Sequence, residues 1–124
     1  MALLTRNTLS DVAGSRNLNM GAAEASMTAV SASDTVNNAD GKTLLIVSNQ
    51  GGSSDTVSIT AQVTAQRTAS GVSVAAANES VVVATTERRI LGPFPPSIYN
   101  DASGNITITH SFTTSVKIYA FALS

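Results

Sequence analysis

From residue 26 onward, apolar and polar residues alternate with a period of two, the spacing of a half-buried β-strand. The clearest case is 56–63. There Val57, Ile59, Ala61 and Val63 fall on one face, and Ser58, Thr60, Gln62 and Thr64 on the other. Residues 106–112 repeat it, with Ile106, Ile108, His110 and Phe112 on one side. Residues 43–49 instead contain an unbroken apolar run, Leu44-Leu45-Ile46-Val47, which predicts a strand covered on both faces. Shorter or weaker strands are predicted at 27–30, 72–74, 80–84 and 87–91, and a closing one at 116–123. Turn clusters punctuate them at 37–41, 50–55, 78–79 and 99–105, with Asp40-Gly41 supplying a positive-φ position. The Gly51-Gly52 loop between 43–49 and 56–63 predicts that these two strands form an antiparallel hairpin.

Residues 88–99, Arg-Arg-Ile-Leu-Gly-Pro-Phe-Pro-Pro-Ser-Ile-Tyr, break the pattern and hold all 3 prolines of the chain. Proline fixes φ and removes a backbone donor, and it disfavours helix at the residue before it. Residues 92–96 are therefore expected to be neither helix nor central strand. They read as a rigid crossover from one sheet to the other. Pro93, Phe94, Pro95, Pro96 and Tyr99 form the structural anchor, with the two rings plugging one end of the core.

About eight short strands with frequent turns, and no long helix, predict an all-β fold. The expected form is an antiparallel two-sheet sandwich or a jelly-roll-like barrel. Residues 1–25 lack the alternation and are expected to be an extended N-terminal arm on a domain spanning 26–124. Their leucines are too many for a purely solvated tail, so the arm is expected to become ordered on a neighbour. Leu3, Leu4, Arg6, Leu9, Val12, Arg16 and Leu18 are its candidate contacts with that neighbour.

Composition narrows the function. Charged residues are only 12% of the 124, and net charge is −1. There is no electrostatic basis for binding nucleic acid or an anionic membrane. A surface built from Ser, Thr, Asn and Gln suits a protein assembled into something larger. The chain has no cysteine, which removes thiolate chemistry and cysteine-ligated zinc. No leader-like or membrane-spanning pattern is read at the amino terminus, so the product is expected inside cells or released by lysis.

Candidate chemistry is sparse. His110 is the single histidine, and no second ligand stands at a metal-like spacing. No Gly-x-Ser-x-Gly elbow accompanies it, so a packed or hydrogen-bonded strand residue is the expectation. Asp101 with Asn100, Ser103 and Asn105 lacks the calcium-loop pattern and reads as an ordinary turn. No enzyme activity, cofactor or metal is expected.

Several stretches carry a resemblance. They are Asp40-Gly41-Lys42-Thr43-Leu44-Leu45-Ile46-Val47-Ser48-Asn49 with Gly51-Gly52-Ser53, then Thr56-Val57-Ser58-Ile59-Thr60-Ala61. Gly92-Pro93-Phe94-Pro95-Pro96 with Tyr99-Asn100, and Thr114-Ser115-Val116-Lys117-Ile118, complete the set. This part of the chain resembles the head decoration (cement) proteins of tailed bacteriophages. The resemblance implies a β-rich, non-enzymatic virion protein on the outer capsid surface. Its implied partner is the major capsid protein, and its implied assembly a homotrimer at local threefold positions. It would be made in the host cytoplasm. A tail, neck or head-fibre component, or a receptor- or glycan-binding virion module, is the alternative. The arm lies outside the resemblance.

Overall fold

The computed structural model describes residues 2–9, 27–62, 65–67, 73–75 and 77–123. Among these it is a β-sandwich of two five-stranded sheets with a small separate hairpin. The strands are β1 (Ala2–Leu4), β2 (Arg6–Leu9), β3 (Thr28–Ala29), β4 (Ser33–Asn37), β5 (Thr43–Asn49) and β6 (Asp55–Ile59). They continue as β7 (Ala65–Arg67), β8 (Ser73–Ala75), β9 (Glu79–Val83), β10 (Arg88–Leu91), β11 (Asn105–His110) and β12 (Val116–Leu123). A one-turn helix, α1 (Pro96–Tyr99), lies between β10 and β11.

The first sheet runs in the order β1-β4-β11-β6-β9. The second runs β10-β5-β12-β2, with β3 also paired to β12. Inward residues of both sheets meet in one core. Val36, Ile106, Ile108, Val57, Ile59 and Val83 come from the first sheet; Leu45, Val47, Val116, Ile118, Ala120 and Leu91 come from the second. The strand β5 is buried at six of its seven positions, as its apolar run predicts. Ile46 is 1% exposed although it points away from Leu45 and Val47.

Most connections cross between the two sheets. β5 and β6 do not form the expected hairpin: β5 pairs with β10 and β12, and β6 with β11 and β9. The physical cause sits in the connecting loop. Asn49 is fully buried, donates to the carbonyls of Ser53 (2.8 Å) and Val83 (2.9 Å), and accepts from Gly51 N–H (2.9 Å). This turns the chain inward and across the sandwich. Gly51 lies so close to the Thr114 carbonyl and the Phe112 ring that a Cβ there would stand 2.3 and 2.4 Å from them. Gly51 therefore serves a close crossing, not a tight hairpin turn.

Two further departures concern the edges and β4. Both edge strands at the amino terminus are parallel to their neighbours, β1 to β4 and β2 to β12, so the sheets are mixed and not wholly antiparallel. The strand β4 was absent from the pattern because Asp34, a charged residue, takes an inward position that alternation would assign to an apolar one. The closing strand β12 matches its predicted span, and the turn at Gly41 has the expected positive φ, 72°.

Candidate functional site

The proline stretch closes one end of the sandwich. It leaves β10 in the second sheet and delivers the chain to β11 in the first. Phe94 (2% exposed) and Tyr99 (9%) are buried against each other edge to face, with ring centroids 6.1 Å apart. Pro93, Pro95 and Pro96 lie on the surface. Pro96 is the first residue of α1, which corrects the expectation of no helix through residue 96. A first-turn proline loses no helical bond, since that N–H has no intrahelical acceptor.

An asparagine clasp that no periodicity or motif announces holds this plug. Asn38 is fully buried. Its side-chain amide donates to the Phe94 carbonyl (2.9 Å) and to Asn100 Oδ1 (2.8 Å), while Asn100 Nδ2 donates back to the Asn38 carbonyl (2.8 Å). Both asparagines stood in predicted turn clusters, where Asn ordinarily bonds its own backbone. Their pairing spans 62 residues. Asp101 does behave as a turn residue, its carboxylate accepting from the N–H groups of Ser103 and Asn105.

The opposite end carries the chain's only histidine. His110 Nδ1 lies 2.6 Å from Asp55 Oδ2, and both side chains are completely buried. Asp55 Oδ1 also accepts from the backbone N–H groups of Ser111 (3.0 Å) and Phe112 (3.2 Å). This His–Asp pair ties β6 to the end of β11 beneath the surface. His110 Nε2 and Asp34 Oδ1 are buried without a protein partner. Among the described residues, no group of three His, Cys, Asp or Glu side chains could hold a metal ion.

The N-terminal candidates are divided. Residues 2–9 are edge strands of the chain's own sandwich, not a segment free of it. Leu4 is part of the core (8% exposed), so it is not available to a neighbour. Its position explains why: the chain crosses from one sheet edge to the other at Thr5 and inserts Leu4 on the way. Arg6 forms a two-pronged pair with Asp40 (2.7 and 3.1 Å) and donates to Thr43 Oγ1 (3.1 Å). Leu3 is 69% exposed and remains a surface contact candidate. Leu9 is placed by register alone, opposite Leu123. Val12, Arg16 and Leu18, and most of the proposed 1–25 arm, lie outside the described residues.

The Arg6 guanidinium, with the Lys42 N–H, holds the Asp40 carboxyl below its ordinary 3.8. A depressed carboxyl stabilises the fold above the unfolded-state value and loses that effect as pH falls through the folded one. Asp40→Asn is therefore expected to destabilise at pH 7, by less than about 1 kcal/mol because the pair is partly exposed. The difference from wild type should shrink as the pH is lowered past the ordinary carboxyl value and through the depressed folded-state one, measured by urea unfolding at neutral and strongly acid pH.

The remaining feature is a surface. On the outer face of the first sheet, Leu3 lies beside Thr35 and Thr35 beside Thr107. The next row is Ser33, Thr109, Ser58 and Ser80, followed by Thr56 beside Val82. The face carries no charged side chain at these positions, and the Ser58 and Ser80 hydroxyls bond each other at 3.0 Å. Alternation foretold the outward hydroxyls of 56–63, but their alignment across strands needed the register. At the flank, a groove of about 520 Å³ opens between the edge strands β9 and β10, lined by Glu79, Val81, Ile90, Leu91, Phe94 and Tyr99 among others. Ile90 in its lining is 63% exposed, and Val82, on the outer face of β9, 53%.

No family model, curated protein or solved structure matches this chain.

Proposed function

We propose that this protein is a structural binding module, a small rigid sandwich that docks on a larger assembled surface and performs no catalysis. More particularly, it acts as a decoration (cement) protein on the outer capsid surface of a bacteriophage, with the major capsid protein as partner.

The observation that carries this reading is the hydroxyl-lined outer face of the first sheet. Burying a charge at an interface costs several kcal/mol unless it is matched, whereas a hydroxyl is satisfied by one hydrogen bond to almost any backbone. A flat face of Ser and Thr with Leu3 and Val82 at its two margins can be dehydrated against another protein at low cost. The resemblance of residues 40–122 to head decoration proteins supports the particular partner. His110, on which any hydrolytic reading depends, has its side chain sealed from solvent. A ligand that binds only the assembled shell stabilises that shell by mass action.

Purified virus particles test this reading directly. A 12.6 kDa band comparable in amount to the shell protein is expected on a denaturing gel. Thr109→Lys, which places a charge in the middle of the hydroxyl face, should lower occupancy at least about tenfold while leaving the purified domain folded. A few copies per particle would overturn the shell assignment in favour of the tail or neck. Full occupancy with the lysine variant would remove this face from the interface.

A further inference from the structure

The groove between β9 and β10 has a chemistry that selects its occupant. Among the described residues that line it, Glu79 is the one charged side chain. Glu79 is exposed and makes no ion pair or side-chain hydrogen bond with a described residue. Neither arginine of β10 lines the groove, and Arg89 pairs with Glu87 at 3.4 Å. Donors are scarce in the lining. Pro93 and Pro95 have no backbone N–H, and the N–H groups of Ile98 and Tyr99 are given to the Pro95 carbonyl, both at 3.1 Å. The walls are apolar, with Val81 from the first sheet, Ile90 and Leu91 from the second, and the rings of Phe94 and Tyr99 from the proline stretch.

These features favour one kind of occupant. A lone carboxylate beside apolar walls attracts a cation more strongly than one surrounded by water. Aromatic rings attract cations through their faces. A lining poor in donors leaves an anionic ligand unpaired, whereas a donor-rich cation finds acceptors. Arginine meets all three conditions. Its apolar stem can cover Val81 and Ile90, while the planar guanidinium offers paired donors to Glu79 and a flat face to a ring. Lysine, a compact and strongly hydrated charge, matches the carboxylate but not the rings as well. A volume of about 520 Å³ is enough for one such side chain with its flanking backbone.

We propose that the groove between β9 and β10 is an arginine-accepting site, which takes a guanidinium side chain presented by a protein partner and pairs it with Glu79. This does not rest on the capsid reading and is tested without particles. Acetyl-arginine amide is the probe, titrated into the isotope-labelled full chain and followed by NMR. Saturable shifts are expected at Val81, Ile90 and Ile98, with the millimolar affinity of a small fragment. Acetyl-norleucine amide and acetyl-glutamate amide should move the same signals far less, a comparison that uses the wild-type chain alone. Glu79→Gln, at an exposed position, should stay folded by circular dichroism and weaken arginine binding at least about threefold, and added salt should weaken binding to the wild type. The absence of any saturable shift with the arginine probe overturns the proposal. So does equal binding by the folded Glu79→Gln chain, or a glutamate probe that binds as well as the arginine one.

Discussion

Asp55→Ala is expected to lower the unfolding free energy by about 3–5 kcal/mol. Asp55 accepts from three donors at once: the His110 ring at Nδ1 and the N–H groups of Ser111 and Phe112. The Asp55 and His110 side chains have no solvent exposure, so the ring loses its acceptor outright, whereas the Ser111 N–H keeps a bond to the Thr56 carbonyl (3.2 Å). Each stranded buried donor costs about 1–3 kcal/mol, and partial collapse recovers some of it. A domain of this size has a total stability of about 5–15 kcal/mol, so much of the margin would go. Asp55→Asn keeps the shape and one acceptor oxygen, and is expected to cost distinctly less. Urea unfolding of the two variants checks the order, and the Asp55→Ala/His110→Ala double variant measures the coupling. A loss below about 1 kcal/mol for Asp55→Ala would mean that water reaches the pair and that it does not fasten β6 to β11.

Phe94→Ala is expected to cost a similar amount, about 3–5 kcal/mol, through the cavity left at the other end of the core. The ring is 2% exposed and packs edge to face on Tyr99. The Phe94 carbonyl, which accepts from Asn38, is backbone and survives the substitution, so the clasp itself need not open. Ile98→Ala, at a half-buried position beside the core, should cost less. Equal losses for the two would show that the proline stretch contributes through its backbone and not through the aromatic plug.

These two sites also show how far the sequence could be read. The Phe94 plug was legible because three prolines and two rings stand together in a chain otherwise soft and β-branched. The strand β5 was legible because four consecutive apolar residues need cover on both faces. The Asp55 site was not, since Asp beside a Gly-Ser loop looks like a loop residue, and its partner stands 55 positions away. The same holds for Asn38 and Asn100. A buried polar pair leaves no periodic trace, because it replaces an apolar residue in the pattern that periodicity detects. Asp34 hid β4 for this reason. The Gly51-Gly52 loop was read as a hairpin because composition reports that a chain turns, but not whether the strands on either side pair with each other or with strands not yet reached.

For the candidate surface, alternation gave the outward Ser and Thr of single strands. The face as a whole depends on register among β1, β4, β11, β6 and β9, whose members come from opposite ends of the chain. Arg6 is expected from the sequence to contact a neighbour, and the carboxylate it pairs with lies in the same molecule. One arginine in a sparsely charged chain asks for a carboxylate without saying which chain supplies it.

The position of β12 has a consequence for the rate at which this fold can be reached. It lies between β5 on one side and β2 and β3 on the other, yet it follows all three in the chain. Its register with β5 joins Asn49 to Val116 and Thr43 to Ala122, and its register with β2 joins Arg6 to Ala120. Each such pairing closes a long loop before any stabilising contact is gained, and the entropy of that closure is lost first. Local zippering can build β10 onto β5 or β9 onto β6 early, but the second sheet has no centre until β12 arrives. Folding in milliseconds to seconds, slow for a chain of 124 residues, is the expected result of that order.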